Sequence, residues 1–156
     1  MTREISALTA EIDTLLNHFP DTIWPIPHLL RRAGRLLLRT SRAGLTEYNL
    51  AIEYIDTAHA AMREWNNEEP RPITLALLAE KLAAHCLAAN LLKDTRKGWK
   101  WKNDPQIVAH LDQARETLDT AREDSRELFG TDGGLLVDRI AKLGRRFEKL
   151  DEEVGF

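Results

Sequence analysis

The chain has 156 residues, with 22 Lys and Arg against 25 Asp and Glu, for a formal net charge of −3. Its 43% hydrophobic and 30% charged residues predict one folded domain over residues 1–156 and exclude a disordered or fibrous chain. The single cysteine, Cys86, excludes a disulfide framework and a multi-cysteine zinc site. It favours a reducing compartment, which we expect to be the cytoplasm. The longest apolar stretch, residues 73–92, contains Glu80 and Lys81, so we expect no membrane partner.

The net charge conceals two strongly basic segments. Residues 29–42 hold five arginines and no acid, and residues 93–102 hold five cations against one acid, Asp94. Together these 24 residues carry +9, while the other 132 carry −12. Because local potential rather than net charge attracts a polyanion, the negative total does not exclude nucleic acid as a partner.

Apolar residues recur at steps of three and four along nearly the whole chain, which predicts helices. We expect a first helix over residues 5–19. A second begins at Pro25 or Pro27, where a missing N–H costs nothing in the first turn, and runs to Arg42. Gly44 then suits the position just beyond the helix C-terminus.

Four more helices are predicted in the remaining sequence, beginning with a third over residues 46–66. The fourth, residues 73–93, is rich in Leu and Ala almost all round and should be the most buried. Asn103 or Asp104 caps the fifth, and the last covers residues 136–154. No window shows the strict alternation of a strand, so we predict an all-α fold, a compact bundle of about six helices.

The fifth helix contains a seven-residue repeat, Leu111–Thr117 followed by Leu118–Asp124. Its alanines allow a close approach between helices, and Arg115 can reach Asp119 one turn later. The apolar seam of this repeat can pack within the chain or against a partner chain. The pattern leaves both arrangements open.

Five arginines of the second helix fall within about one quarter of its circumference, opposite its apolar side, at 100° per residue. This arginine face consists of Arg31, Arg32, Arg35, Arg39 and Arg42. A solvated helix surface usually interleaves acids with bases, because like charges three or four residues apart repel. The second helix has no acid here, so we predict a surface for phosphates or for an acidic partner. A solvated surface is the alternative.

The second basic segment alternates aromatic and cationic residues. If it is extended, Trp99 and Trp101 point to one side, and Lys100 and Lys102 to the other. Stacking surface beside phosphate contacts is the combination that binds single-stranded nucleic acid. The alternative is that the indoles close the end of the bundle. The candidate contacts of this Trp/Lys loop are Arg96, Lys97, Trp99, Lys100, Trp101 and Lys102.

Catalytic and metal-binding patterns are incomplete in this sequence. Asp56 and His59 have the spacing of metal ligands, and Glu53 and Asp56 form half of a carboxylate pair, but neither motif has a second half. We interpret His59 as a hydrogen-bonded core histidine and Cys86 as a buried inert thiol. We therefore predict no cofactor, no metal site, no catalytic residue and no enzymatic activity.

In architecture the chain resembles the helical small subunits of CRISPR effector complexes. The features that carry the resemblance are the all-α pattern, the arginine face and the Trp/Lys loop. It implies a non-catalytic subunit of antiviral defence that stacks in several copies along an RNA-guided complex and turns basic surfaces to guide RNA or target nucleic acid. These subunits share little sequence signature, so no residue is carried over by motif.

The first functional hypothesis is a sequence-tolerant, non-catalytic nucleic-acid-binding subunit of a ribonucleoprotein complex. Its partners would be RNA or single-stranded DNA, other protein subunits and copies of itself. The alternative is a protein-interaction module, an adaptor or regulator, whose arginine face binds an acidic protein. An enzyme built on Glu53, Asp56 and His59 ranks last.

Overall fold

A computed structural model describes residues 26–39, 43–96, 104–130 and 134–155, together with residues 6, 7, 10 and 14. The helices in the four continuous stretches are α1 (Ile26–Arg39), α2 (Leu45–Trp65), α3 (Pro72–Thr95), α4 (Pro105–Phe129) and α5 (Leu135–Gly155). This part of the chain contains no strand, which confirms the all-α prediction. It holds five long helices rather than about six, because the first predicted helix lies outside the described residues except at four helical positions: Ser6, Ala7, Ala10 and Thr14.

Helix α3 packs against each of the other four helices. Its buried residues occupy nearly every side of the helix, as its Leu/Ala-rich sequence predicts. On one side Leu77 belongs to a hydrophobic cluster shared with α1 and α2. On another, Leu82 belongs to a cluster shared with α4 and α5. The bundle therefore has two hydrophobic clusters with α3 between them.

By length and composition alone, α3 is able to cross a membrane, since an 18-residue window has a mean hydropathy of 1.4. This corrects the expectation that Glu80 and Lys81 make the composition of the segment too polar for a membrane-spanning helix. However, 67% of the window is buried inside the bundle, and the core helix of a soluble protein passes the same test. The apolar character of α3 is accounted for by its packing.

The helix caps confirm one prediction and correct another. The Asp104 carboxylate accepts hydrogen bonds from the backbone N–H groups of Gln106 at 2.8 Å and Ile107 at 3.3 Å, as an N-cap of α4. Gly44 does not end α1 but is the N-cap of α2, with φ −113°. Its N–H donates to the Glu47 carboxylate at 3.0 Å, so the glutamate three residues later fixes its position.

The seven-residue repeat of α4 is used within the chain. Leu111 and Leu118 are buried in the cluster that α4 shares with α3 and α5. Arg115 does not reach Asp119 but donates to Asp151 of α5, at 2.9 Å. The expected partner Asp119 was wrong. Along its own helix Arg115 pairs with Asp112, at 3.4 Å, and α5 brings a second carboxylate alongside α4.

Helix α1 packs tightly against α2 at Gly34. A Cβ atom there would lie 2.9 Å from Cγ1 of Ile55. Overpacking costs about 1–3 kcal/mol, and the better helix propensity of Ala returns about 1 kcal/mol. We expect Gly34→Ala to lower the free energy of unfolding by about 0–2 kcal/mol, measured by urea denaturation.

Gly144→Ala is the matched control. Its Cβ would lie 3.1 Å from Nη2 of Arg122, at the end of a long exposed side chain, and 3.3 Å from Cδ1 of the buried Leu118, so neither contact is as short as the one at Gly34. This variant should equal or exceed the wild type in stability. A Gly34→Ala protein as stable as the Gly144→Ala protein would contradict the close approach at Gly34.

Candidate functional site

The structure gathers four of the five predicted arginines around one open depression of about 280 Å³, which Leu36 also lines: Arg31, Arg32, Arg35 and Arg39. The other side of α1 is buried against α2 through Leu30, Ala33 and Leu37. The separation of arginines from apolar residues in the sequence thus becomes a separation between surface and core. Arg42, the fifth member of the arginine face, lies outside the described residues.

A carboxylate of α3, Glu80, lies against the arginine face and is only 1% exposed. Arg31 donates from Nε to Oε1 of Glu80 at 3.1 Å and places Nη2 3.0 Å from the same oxygen. Nε of Arg35 is 3.7 Å from that oxygen. The absence of acids from the arginine face therefore holds only for α1 itself, because α3 supplies one.

Glu80 divides the arginines into two kinds. Arg31 is held by a buried partner, and its side chain is 26% exposed, whereas that of Arg35 is 40% exposed. Arg32 and Arg39 are exposed. Glu80 by itself balances one of these four positive charges, so it orders one edge of the depression without neutralising the face.

The Trp/Lys loop lies largely outside the described residues, which exclude Lys97, Trp99, Lys100, Trp101 and Lys102. Arg96, its first candidate contact, is the C-cap of α3. Its Nε donates to the Asp104 carboxylate at 2.7 Å, and its Nη2 donates to Oε1 of Gln106 at 3.1 Å. Arg96 thus ties the end of α3 to the start of α4, across the base of the loop.

A pair of histidines that sequence reasoning missed lies between α3 and α4. Nδ1 of His85 is 3.0 Å from Nδ1 of His110, so one nitrogen donates and the other accepts. Burial, and then the neighbouring His110, lower the pKa of His85 to about 3. Burial also lowers the pKa of His110. The two are 25 residues apart, and only the register of α3 against α4 brings them together.

The residues weighed for catalysis do not assemble into a site. Asp56 pairs with Lys81 at 2.8 Å. Nε2 of His59 is buried without a hydrogen-bond partner among the described residues, so the predicted hydrogen bond is not seen at that nitrogen. Burial raises the pKa of the Cys86 thiol to about 11, as expected of a buried inert thiol. Within the described ranges no three His, Cys, Asp or Glu side chains are grouped so that they could hold a metal ion.

Comparisons of this chain with protein-family models, with curated proteins and with solved structures find no match. The site is therefore interpreted from its own residues and geometry.

Glu80→Gln tests the ion pair that orders the arginine face. Removing the buried charge weakens charge-assisted hydrogen bonds, and we expect a loss of about 1–3 kcal/mol in the free energy of unfolding. Urea denaturation measures it. Glu152→Gln changes an exposed glutamate of α5 and should stay within about 0.5 kcal/mol of the wild type. Equal stability of the two variants would contradict the role of Glu80.

The histidine pair predicts a dependence of stability on pH. Since the pKa of folded His85 lies below the ordinary value of 6.5, the unfolded chain binds more protons below pH 6.5, and stability falls as pH falls. We expect protonation of His85 in the unfolded chain to lower the free energy of unfolding by about 2–3 kcal/mol as the pH falls from 6.5 to 4.5. Urea denaturation across this range should show a shallower decline for His85→Gln. Identical pH profiles for variant and wild type would contradict this assignment.

Proposed function

We propose that this chain is a non-catalytic nucleic-acid-binding subunit of a ribonucleoprotein complex, similar in kind to the helical small subunits of CRISPR effector complexes. The observation that carries the proposal is the gathering of Arg31, Arg32, Arg35 and Arg39 around one open depression on α1. The helical fold and the basic surface together support the proposal that the chain is a scaffold, which holds a nucleic-acid strand by its phosphates.

Arginine suits phosphate better than lysine does, because its planar guanidinium presents paired donors to two oxygens. Arg31, Arg35 and Arg39 follow one another at steps of four residues, about 6 Å along the helix axis, so each can meet a different phosphate of one strand. The Glu80 carboxylate occupies Nε and Nη2 of Arg31, so the proposed phosphate contacts fall mainly to the other arginines of the face. Phosphate contacts position a strand without reading its bases, so binding should tolerate any sequence.

The proposed ligand is RNA or single-stranded DNA, with the Trp/Lys loop as a second contact through base stacking. Other protein subunits and further copies of the chain complete the proposed assembly, which we place in the cytoplasm. No cofactor enters this proposal.

The alternative, a protein-interaction module for an acidic partner, is favoured by one observation. The arginine face already binds a carboxylate, that of Glu80, through Arg31. Acidic side chains of another protein would meet the same donors. The two ligand classes differ in charge density, so dependence on salt and competition by an acidic polypeptide separate them.

Arg35→Gln with Arg39→Gln tests the nucleic-acid proposal while leaving the Arg31–Glu80 pair intact. Two lost phosphate contacts should weaken binding of a labelled 20-nucleotide single strand about 10- to 30-fold at 0.1 M salt and reduce the salt slope by about 1.4. Fluorescence anisotropy over a series of salt concentrations, with RNA and with DNA, measures both quantities.

Arg71→Gln with Arg126→Gln is the matched control, since it removes the same charge from exposed residues outside the arginine face. Its affinity should stay within about threefold of the wild type, because only long-range attraction changes. A wild-type chain that binds no strand at low salt would refute the proposal for the isolated protein. Binding to polyglutamate in place of nucleic acid would support the alternative.

A further inference from the structure

The residues that directly precede α1 are complementary to it in charge. Residues 4–25 hold four acids and no Lys or Arg, whereas α1 holds four arginines and no acid. The four acids are Glu4, Glu11, Asp13 and Asp21. Because the acidic segment is joined to α1, it meets the arginine face at a high effective concentration.

The predicted first helix, residues 5–19, has one apolar side and one exposed side. At 100° per residue, five of its large apolar residues fall within about 80° of its circumference. This N-terminal apolar stripe consists of Ile5, Leu8, Ile12, Leu15 and Phe19. The four described positions are helical and exposed, and they are centred about 165° from the stripe: Ser6, Ala7, Ala10 and Thr14. An exposed side opposite an apolar stripe is typical of a helix that packs on its own bundle.

The short connection between this helix and α1 makes the two helices neighbours. Six residues, 20–25, separate Phe19 from Ile26, and helices joined by so few residues in a bundle pack antiparallel. Leu36, the apolar residue that lines the depression with the arginines, is half-buried. It lies about 160° around α1 from Gly34, where α2 packs. The first helix can therefore pack on the Leu36 side of α1 without displacing α2.

The acids of the first helix match two arginines of α1 in spacing. Glu4 and Glu11 are seven residues apart, and so are Arg32 and Arg39. Seven residues are about two turns, or about 10 Å along the axis, so each pair lies along one line of its helix. A single antiparallel register therefore brings Glu11 to Arg32 and Glu4 to Arg39. It differs by about 3 Å from the register that sets the end of the first helix level with the start of α1, which long side chains can span.

Both glutamates lie on the edge of the stripe that faces the arginines. Glu4 and Glu11 fall about 60–80° from the centre of the N-terminal apolar stripe, on the same side of it. Arg32 and Arg39 fall about 40–60° from Leu36, also on one side. Because the two helices run antiparallel, these two sides are the same side of the helix pair. With the stripe on Leu36, the glutamates approach the arginines rather than the opposite edge.

We propose that the first 19 residues pack on α1 and set Glu11 against Arg32 and Glu4 against Arg39, as an autoinhibitory contact on the arginine face. The effect on nucleic acid rests on the proposed function, whereas the contact itself does not. A guanidinium that donates to a carboxylate has fewer donors left for a phosphate, so a strand must displace the two glutamates. The contact therefore weakens the binding of a strand by the isolated chain.

Crosslinking of introduced cysteines tests the contact without any nucleic acid. Glu11→Cys with Arg32→Cys should form an intramolecular crosslink with a short bis-maleimide, seen as a mobility shift on a denaturing gel and located by mass spectrometry. Thr14→Cys with Arg32→Cys is the matched control and should crosslink far more slowly, since Thr14 lies on the exposed side of the first helix. The native Cys86 is buried, and burial raises its pKa to about 11, so it does not compete for the reagent.

Equal yields from the two cysteine pairs, including no crosslink from either, would overturn the contact. A crosslink that joins two chains, seen as a dimer on the same gel, would assign the segment to a second copy and overturn the intramolecular arrangement.

Glu4→Gln with Glu11→Gln tests the restraint on binding. Neither glutamate belongs to the apolar stripe, so the fold should be retained, which urea denaturation verifies. With a labelled 20-nucleotide strand at 0.1 M salt we expect binding about 3- to 30-fold tighter than that of the wild type, the range that two exposed ion pairs can withhold. Glu116→Gln with Glu152→Gln is the matched control, because it removes the same charge from exposed residues of α4 and α5. Its affinity should stay within about twofold of the wild type.

The outcomes separate this inference from the proposed function. If the wild type binds the strand and the Glu4→Gln, Glu11→Gln protein binds no more tightly than its control, the autoinhibitory contact is wrong and the proposed function stands. Tighter binding by that variant alone supports both. If neither the wild type nor the variant binds a strand, the proposed function fails for the isolated chain, and the restraint on binding fails with it.

Discussion

Helix α3 imposes the central constraint on this bundle, because its apolar residues leave no side that water can cover at low cost. The other helices take up positions that bury it, in two clusters. The exception is Glu80, a carboxylate whose burial is costly unless it is paired. It follows that α1 must bring a cation to this point, and the arginines beside Arg31 are positioned with it. The candidate binding surface is in this sense a consequence of how the core helix is covered.

The distribution of charge follows from helix pairing rather than from composition. Where α4 and α5 meet, arginines and carboxylates are matched, as in the Arg115–Asp151 pair. Where α5 runs beside α3, Lys93 of α3 pairs with Glu153 of α5, next to Arg146 and Lys149. An acidic protein thus displays a basic surface, the arginine face, without any basic excess overall. Only the three-dimensional pairing shows which charges are balanced.

The sequence predicted those features that depend on one helix at a time. Periodicity identified the helices, the all-round burial of α3 and the cap at Asp104, because each is encoded within a few turns. It also placed the arginines on the surface of α1. It could not give the Arg31–Glu80 pair or the His85–His110 pair, whose members are 49 and 25 residues apart. Periodicity shows which side of a helix faces inward, but not which neighbour it faces or in what register.

The buried carboxylate also has a consequence for the ligand proposed for the arginine face. Glu80 is covalently part of the chain, so it competes for Arg31 at a high effective concentration. A single chloride, acetate or phosphomonoester must displace it with only one or two contacts of its own. A strand engages several arginines at once and need not displace Glu80 at all. In the proposed function, a small anion would thus compete with Glu80 for Arg31, whereas a strand would also gain contacts from Arg35 and Arg39.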